Sequence, residues 1–232
     1  DNTVRLMELI RYQSEQKRSY ELENLQMQIN PHFLYNSLET VCGIIDAGED
    51  KLAIRMINYI SRFYRGVLSG GDTLVTIDQE VQITLRYLEI VKIRYRNSFE
   101  FDYNFPKEMI QAKTPKLILQ PLVENAIYHG IKVKQQGGTV RIESLLEEDR
   151  LLITVEDDGV GMTPEQLETI LDKKESDAES TKIGVYNVNE RLQLFFGPDA
   201  VMKYYSTPGV RTMVMLVLPI VRGKEEDSHA ED

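Results

Sequence analysis

A change of texture near residue 98 constrains this chain more than any other feature. Before it, apolar residues recur at helical spacing with few breaks. After it, they alternate in short runs divided by turns. One chain therefore has to hold two kinds of architecture.

Residues 1 to about 45 contain one proline and are rich in Leu, Glu, Gln and Arg, all good helix formers. Leu22, Leu25 or Gln26, Ile29 and Phe33 line one face. Leu6, Leu9 and Ile10 begin a similar stripe, which Gln13, Gln16 and Lys17 dilute. The pattern predicts a long helix able to pair with another copy, without a strict heptad. Pro31 sits inside it, removes one backbone bond and crowds the carbonyl of Met27, so a kink is expected there. Ala47-Gly48-Glu49-Asp50 reads as a turn. Lys51 to Val67 is helical again, with Leu52, Ile54, Met56, Ile57, Ile60, Phe63 and Tyr64 on a broad apolar face. Ser69-Gly70-Gly71-Asp72 breaks it. Leu74 to Ile77 then leads into a helix over about 78–95, with Asp78 as its expected N-cap.

Past Phe99 the reading changes. Phe99 to Phe105 alternates like a strand, and Thr114 to Ile131 reads as a helix opened by Pro115. Val140–Glu147 and Arg150–Val155 form a hairpin around Glu147-Glu148-Asp149. Pro164–Leu171 is a short helix, Asp172–Lys182 a charged loop, and Val185–Phe195 a helix. Val201–Ser206 and Thr212–Leu218 close the fold as a strand pair around Thr207-Pro208-Gly209. The fold class is α+β: a helical hairpin, then a mixed sheet with helices on one face.

Charge and composition narrow the function. Apolar residues make up 42% of the 232, enough for a real core. Net charge is −10, which argues against non-specific nucleic-acid binding. Val140 to Lys182 holds 13 acids and 5 bases, a net of −8. If that stretch borders a phosphate site, a divalent cation is needed to offset the repulsion. A single cysteine, Cys42, excludes an internal disulfide framework and a multi-cysteine metal cluster. No apolar run approaches the roughly 20 residues that span a bilayer. With no initiator Met and no signal peptide, the chain reads as a mature product or an excised piece. Residues 222–232, with five acids and two bases, read as a disordered end.

Four segments could carry chemistry. Gln28-Ile29-Asn30-Pro31-His32-Phe33-Leu34-Tyr35-Asn36-Ser37-Leu38 puts an imidazole at the kink, with the Asn36 amide one turn on. Alone, His32 reads more readily as a partly exposed helix histidine beside a packing proline than as a site. Leu119-Gln120-Pro121-Leu122-Val123-Glu124-Asn125-Ala126-Ile127-Tyr128-His129-Gly130 places Asn125 and His129 on one face, either as a polar stripe or as a site. An amide oxygen there suits Mg²⁺. Val155-Glu156-Asp157-Asp158-Gly159-Val160-Gly161-Met162 sets an acid beside two glycines: an ordinary turn, or a carboxylate accepting from an exocyclic amine of a planar ligand. Gly184-Val185-Tyr186-Asn187-Val188 reads as a glycine opening a helix whose amides could bind phosphate.

Taken together in this order, the four resemble the sensor histidine kinases of the YesM/LytS type, from about residue 20 to Pro219. The resemblance implies a helical hairpin dimerising as a four-helix bundle. An α/β-sandwich ATP-binding domain of the GHKL (Bergerat) type, shared with gyrase, the heat-shock-90 chaperones and MutL, would follow it. It implies that His32 is phosphorylated, that Asn125 of the N box holds Mg²⁺, and that Asp157 takes the adenine amino group beside Gly159 and Gly161. Gly184 and Asn187 would lie near the phosphates, with His129 and Lys134 beside the triphosphate. Glu124 is the candidate base, and Asn36 would position the water that dephosphorylates the partner. Two positions depart from the family pattern, Lys182 and Arg211, each a glycine in most members.

The implied regions are 1–70 for dimerisation and phospho-acceptor, 71–97 as a connecting helix, 98–221 for ATP binding, and 222–232 as the acidic tail. The implied activity is ATP-dependent autophosphorylation on His32, then transfer to an aspartate in a response regulator receiver domain. The implied setting is a homodimer, the cytoplasmic portion of a bacterial inner-membrane sensor anchored upstream of residue 1. A nucleotide-binding dimeric scaffold without kinase activity is the alternative. A gyrase-like ATPase clamp would leave the His32 segment without a purpose.

Overall fold

The computed structural model describes residues 5, 7, 31–68, 74–107, 111–134, 136–171 and 180–220, with backbone alone for 169–171 and 180–186. Its contacts divide the chain into two compact units, Asp1–Leu68 and Ser69–Asp232.

In the first unit, α1 (Pro31–Asp46) and α2 (Asp50–Leu68) form a hairpin. The helix expected upstream of Pro31 lies outside the described residues. Gly48 ends α1 with φ +75: its N–H donates to the Ile45 carbonyl and that of Glu49 to the Ile44 carbonyl. This pair of bonds satisfies two helix-end carbonyls and turns the chain back. Phe33, Ser37 and Val41 of α1 are buried, as are Ala53, Met56, Ile60, Phe63 and Val67 of α2. The Phe33 and Phe63 rings meet edge-on at 5.4 Å. Ser37 donates its hydroxyl to the Phe33 carbonyl, so burying it leaves no donor unmet.

The second unit holds a five-stranded sheet in the order β2-β4-β5-β7-β6. These are β2 (Glu100–Asn104), β4 (Thr139–Glu147), β5 (Arg150–Asp157), β6 (Val201–Thr207) and β7 (Arg211–Pro219). Only β2 and β4 run parallel. Along β5, Leu151, Ile153, Val155 and Asp157 are buried while their neighbours are half-exposed. Along β7, Val214, Leu216 and Leu218 repeat that alternation. On the buried face α4 (Leu119–Asn125) packs against β5 and α6 (Ser180–Phe196) against β6, and α4 in turn packs on α6 and on α3 (Ile77–Arg94). The short helix α5 (Pro164–Leu171) falls where the periodicity places it.

Three local expectations fail, each for a physical reason. The N-cap of α3 is Thr76, not Asp78. Thr76 and Gln79 cap each other reciprocally, at 3.2 and 2.9 Å, which uses one more backbone donor than a lone aspartate can. Thr114–Ile131 is not one helix. Lys113–Pro115 is a strand, β3, paired antiparallel with β1 (Leu74–Thr76), and Leu117 at φ +60 breaks the chain before α4 begins. Pro121 is the proline that fits the first turn of α4. Finally, α6 starts at Ser180, so Gly184 lies inside the helix and does not open it. A glycine inside a helix costs only about 1 kcal/mol, which the rest of a 17-residue helix offsets. The expected charged loop falls mostly, and the acidic tail wholly, outside the described residues.

Candidate active site

His32 is the second residue of α1 and is exposed, while Phe33 beside it is buried. The hairpin thus spends its inward position on the phenyl ring and turns the imidazole outward. The Asn36 side-chain nitrogen lies 3.2 Å from Nδ1 and 3.1 Å from Nε2. Thr40 donates to the Asn36 carbonyl and steadies that turn.

In the second unit, α4 does not continue as an ordinary helix past Asn125. Ala126–Ile131 winds as a wider π turn, in which the N–H of Lys132 reaches back to the carbonyl of Ile127. Such turns often mark functional sites. This one brings Gly130 against the loop that follows β5. A Cβ on Gly130 would fall on the Asp157 carboxylate, and one on Gly159 would fall on the Gly130 backbone. The Val160 N–H donates to the Gly130 carbonyl at 3.2 Å. Gly161, at φ +64, backs onto the Thr207 carbonyl, and Met162 donates to the Ser206 hydroxyl at 2.8 Å. The π turn and the β6–β7 turn therefore grip the Asp157–Met162 loop from both sides.

Asp157 is 4% exposed. Its Oδ1 accepts from the Gly159 N–H at 3.0 Å, and among the described residues no donor reaches Oδ2. Burial, more than the neighbouring Asp158 and Glu156, pushes its carboxyl up to about 7. Lys134 donates to the Asp158 carbonyl at 2.8 Å, and Thr139 donates its N–H to the Asp158 carboxylate. Lys134 therefore braces the loop in this structure. Glu124 and Asn125 are half-buried at the end of α4, and burial raises the Glu124 carboxyl. His129 is exposed and Asn187 half-buried on α6.

The structure thus brings Asp157, Gly159, Gly161 and Lys134 together with Gly130 of the N-box turn. Sequence reasoning missed Glu80 and Arg191, which hold the start of α4. The available signal was a charged residue on the apolar face of α3, beside Ile77, Val81 and Thr84.

These residues fit an adenine nucleotide. A buried carboxylate keeps an unused acceptor oxygen, and the glycines bring the backbone close to where a flat ring would lie. Among the described residues no group of three His, Cys, Asp or Glu could hold a metal by itself. Magnesium commonly takes only one or two protein ligands plus phosphate oxygens, and the Asn125 side chain at the end of α4 offers one amide oxygen of that kind.

A family model of histidine kinases matches residues 20–99, and one of histidine kinase-, DNA gyrase B- and HSP90-like ATPases matches residues 111–222. The chain belongs to the histidine kinase family. Among its relatives, Sensor histidine kinase YesM of Bacillus subtilis is 32% identical over 86% of this chain and 33% of its own length. Sensor protein LytS of Staphylococcus epidermidis is 30% identical over 92% of this chain and 36% of its own. This histidine kinase chain thus spans about a third of the curated relatives it matches. The solved catalytic domain of histidine kinase ThkA covers 64% of this chain and 95% of its own, with TM-score 0.50 and 12% identity, a likeness of fold. The fold is therefore a helical N-terminal part followed by a GHKL-type catalytic domain. No described helix is long and apolar enough to cross a membrane.

Proposed function

We propose that the chain is the kinase core of a two-component sensor, phosphorylating its own His32 from ATP and passing the phosphoryl group to an aspartate of a response regulator. The observation that carries this reading is the outward His32 with the Asn36 amide against its ring, in a chain that also holds the glycine-gripped carboxylate Asp157. A clamp that only hydrolyses nucleotide has no use for the first. A scaffold that only binds nucleotide has no use for the His32–Asn36 pair either.

Each residue then has a defined task. Asp157 accepts from the adenine amino group through Oδ2. Asn125 would hold magnesium through its amide oxygen, and the ion when bound would supply charge to offset the phosphates. Neutral His32 presents the ring nitrogen that carries the lone pair to the γ-phosphorus, the P–O bond to ADP breaks, and a carboxylate takes the ring proton. Glu124 suits that last task, because burial holds its carboxyl above the usual range. Gly159, Gly161 and Lys134 hold the adenine-side loop, and His129, Gly184 and Asn187 face the phosphates.

The hairpin pairs with a second copy. Tyr35, Leu38 and Ile45 of α1 and Ile54, Ile57 and Leu68 of α2 remain exposed after the internal seam has formed. Two such hairpins bury these stripes as a four-helix bundle. Because the chain spans about a third of the sensor proteins it resembles, we propose that it is the cytoplasmic portion of a longer, membrane-bound sensor.

Incubation with γ-labelled ATP tests the reading. Acid-labile, base-stable label on the protein, lost in His32→Gln, supports it. Free phosphate alone points to an ATPase, and neither product to a scaffold.

A further inference from the structure

Glu80 is a carboxylate with no exposed surface. From the first turn of α3 its Oε2 accepts from the N–H of Leu117 at 2.8 Å. Its Oε1 accepts from Ile118 at 2.7 Å and Leu119 at 2.9 Å. These amides open α4, where a helix has no partners of its own to offer. A negative charge there also complements the helix dipole.

Leu117 is strained as well as held. Its φ of +60 is a conformation that a leucine rarely adopts. Its N–H is taken by Glu80 from α3, and its carbonyl accepts from Arg191 Nη1 of α6 at 3.2 Å. The same Nη1 donates to the Lys116 carbonyl at 2.5 Å. One strained residue is thus gripped from two elements by groups of opposite charge. Burial raises the Glu80 carboxyl, and the three amides and Arg191 act against that. Strain that persists only because its surroundings impose it is characteristic of functional sites.

The helix so anchored is seven residues long and ends in Glu124 and Asn125. A rigid rod that short passes any change of its start directly to its end. We propose that Glu80 and Arg191 are positioning residues: they fix the entry of α4 and thereby the placing of Glu124 and Asn125 at the site of phosphoryl transfer. This inference rests on the functional reading above, which makes Asn125 the magnesium ligand.

The test compares Glu80→Gln and Arg191→Lys with Val91→Ala, a cavity elsewhere in the core of α3, on the full chain. Binding of ADP is measured by calorimetry with and without magnesium, together with amide exchange over residues 117–131. A purely structural role lowers all affinities in step with melting temperature and leaves the magnesium effect on ADP affinity unchanged. The positioning role predicts that both charge variants shrink that effect by about tenfold or more, because a misplacement near 1 Å can cost that much. Faster exchange in residues 119–125 should accompany it, while Val91→Ala keeps both at wild-type values. If Glu80→Gln does not fold, Arg191→Lys, which keeps the charge but loses the fork, carries the test. An unchanged magnesium effect in Arg191→Lys, or an equal loss in Val91→Ala, overturns the inference. Since ADP binding needs no phosphoryl transfer, a wild-type chain that binds ADP but never labels His32 would refute the kinase reading and leave this result legible.

Discussion

The Asn36 amide nitrogen lies within hydrogen-bond reach of both ring nitrogens of His32, 3.2 Å from Nδ1 and 3.1 Å from Nε2. Near-equal distances to the two nitrogens place the amide over the ring face, so the in-plane lone pair that must attack is left open. Once the ring is engaged, the Asn36 amide is free to hold a water one helical turn away.

Asn36→Ala should accordingly leave labelling of His32 largely intact. Loss of phosphate from the regulator should slow by about a hundredfold, a typical contribution from a group that orients a reacting water. Time courses with purified phosphorylated regulator read both steps. If both rates fall together and the melting temperature drops, Asn36 is a structural residue of α1.

Asp157→Asn should weaken adenine nucleotide binding about 10- to 150-fold. This corresponds to roughly 1.5–3 kcal/mol for a hydrogen bond to a charged group. Calorimetry with ADP and magnesium measures it. Affinity within twofold of wild type would remove Asp157 from the adenine site.

The acidity of Asp157 gives two pH effects. Its carboxyl titrates near 7 in the folded protein against an ordinary value of 3.8. Between these values the folded state binds more protons than the unfolded chain. Stability contributed by this group therefore falls as pH rises through that window, and the loss is complete above about 7. Melting curves of the empty protein should show Asp157→Asn gaining over wild type at about pH 8 and gaining little at about pH 4. Nucleotide binding runs the other way. An amino donor favours the ionised carboxylate, so binding near neutral pH should release a proton, measurable in buffers of different ionisation heat. Binding without proton release would place the amino group elsewhere.

The exposed stripes of the hairpin predict the oligomer. Leu38→Asp with Ile57→Asp places charges at two positions that are 46% and 49% exposed in the single chain. Neither residue belongs to the internal seam, so helicity should hold while sedimentation shifts from dimer to monomer. A dimer that survives both charges would mean that some other surface pairs the chains.

Much of this was legible because it is local. The Gly48 turn, the hairpin at Glu147–Asp149 and the helix at Pro164–Leu171 announce themselves through spacing and turn residues. So do the strand runs on either side of Asp157, although both extend a residue or two further than alternation alone suggests. What stayed hidden depends on partners far along the chain. The three residues Lys113–Pro115 become a strand only because Leu74–Thr76 pairs with them, and Pro115 looked like a helix start without that neighbour. Glu80 finds its amides 37 to 39 positions away, so its local pattern shows only an acid on an apolar face. The π turn is likewise set by packing of Gly130 against Asp157, which no periodicity encodes.

The central claim is that His32 is the phospho-acceptor of a kinase. Mass-spectrometric mapping of the chain after incubation with ATP and magnesium, under alkaline conditions that preserve phosphohistidine, tests it most directly. The account predicts a single phosphate on the peptide containing His32, absent in His32→Gln and reduced in Asp157→Asn at sub-saturating ATP. Phosphate that persists in His32→Gln, or is found on His129 or on a hydroxyl residue instead, would contradict it.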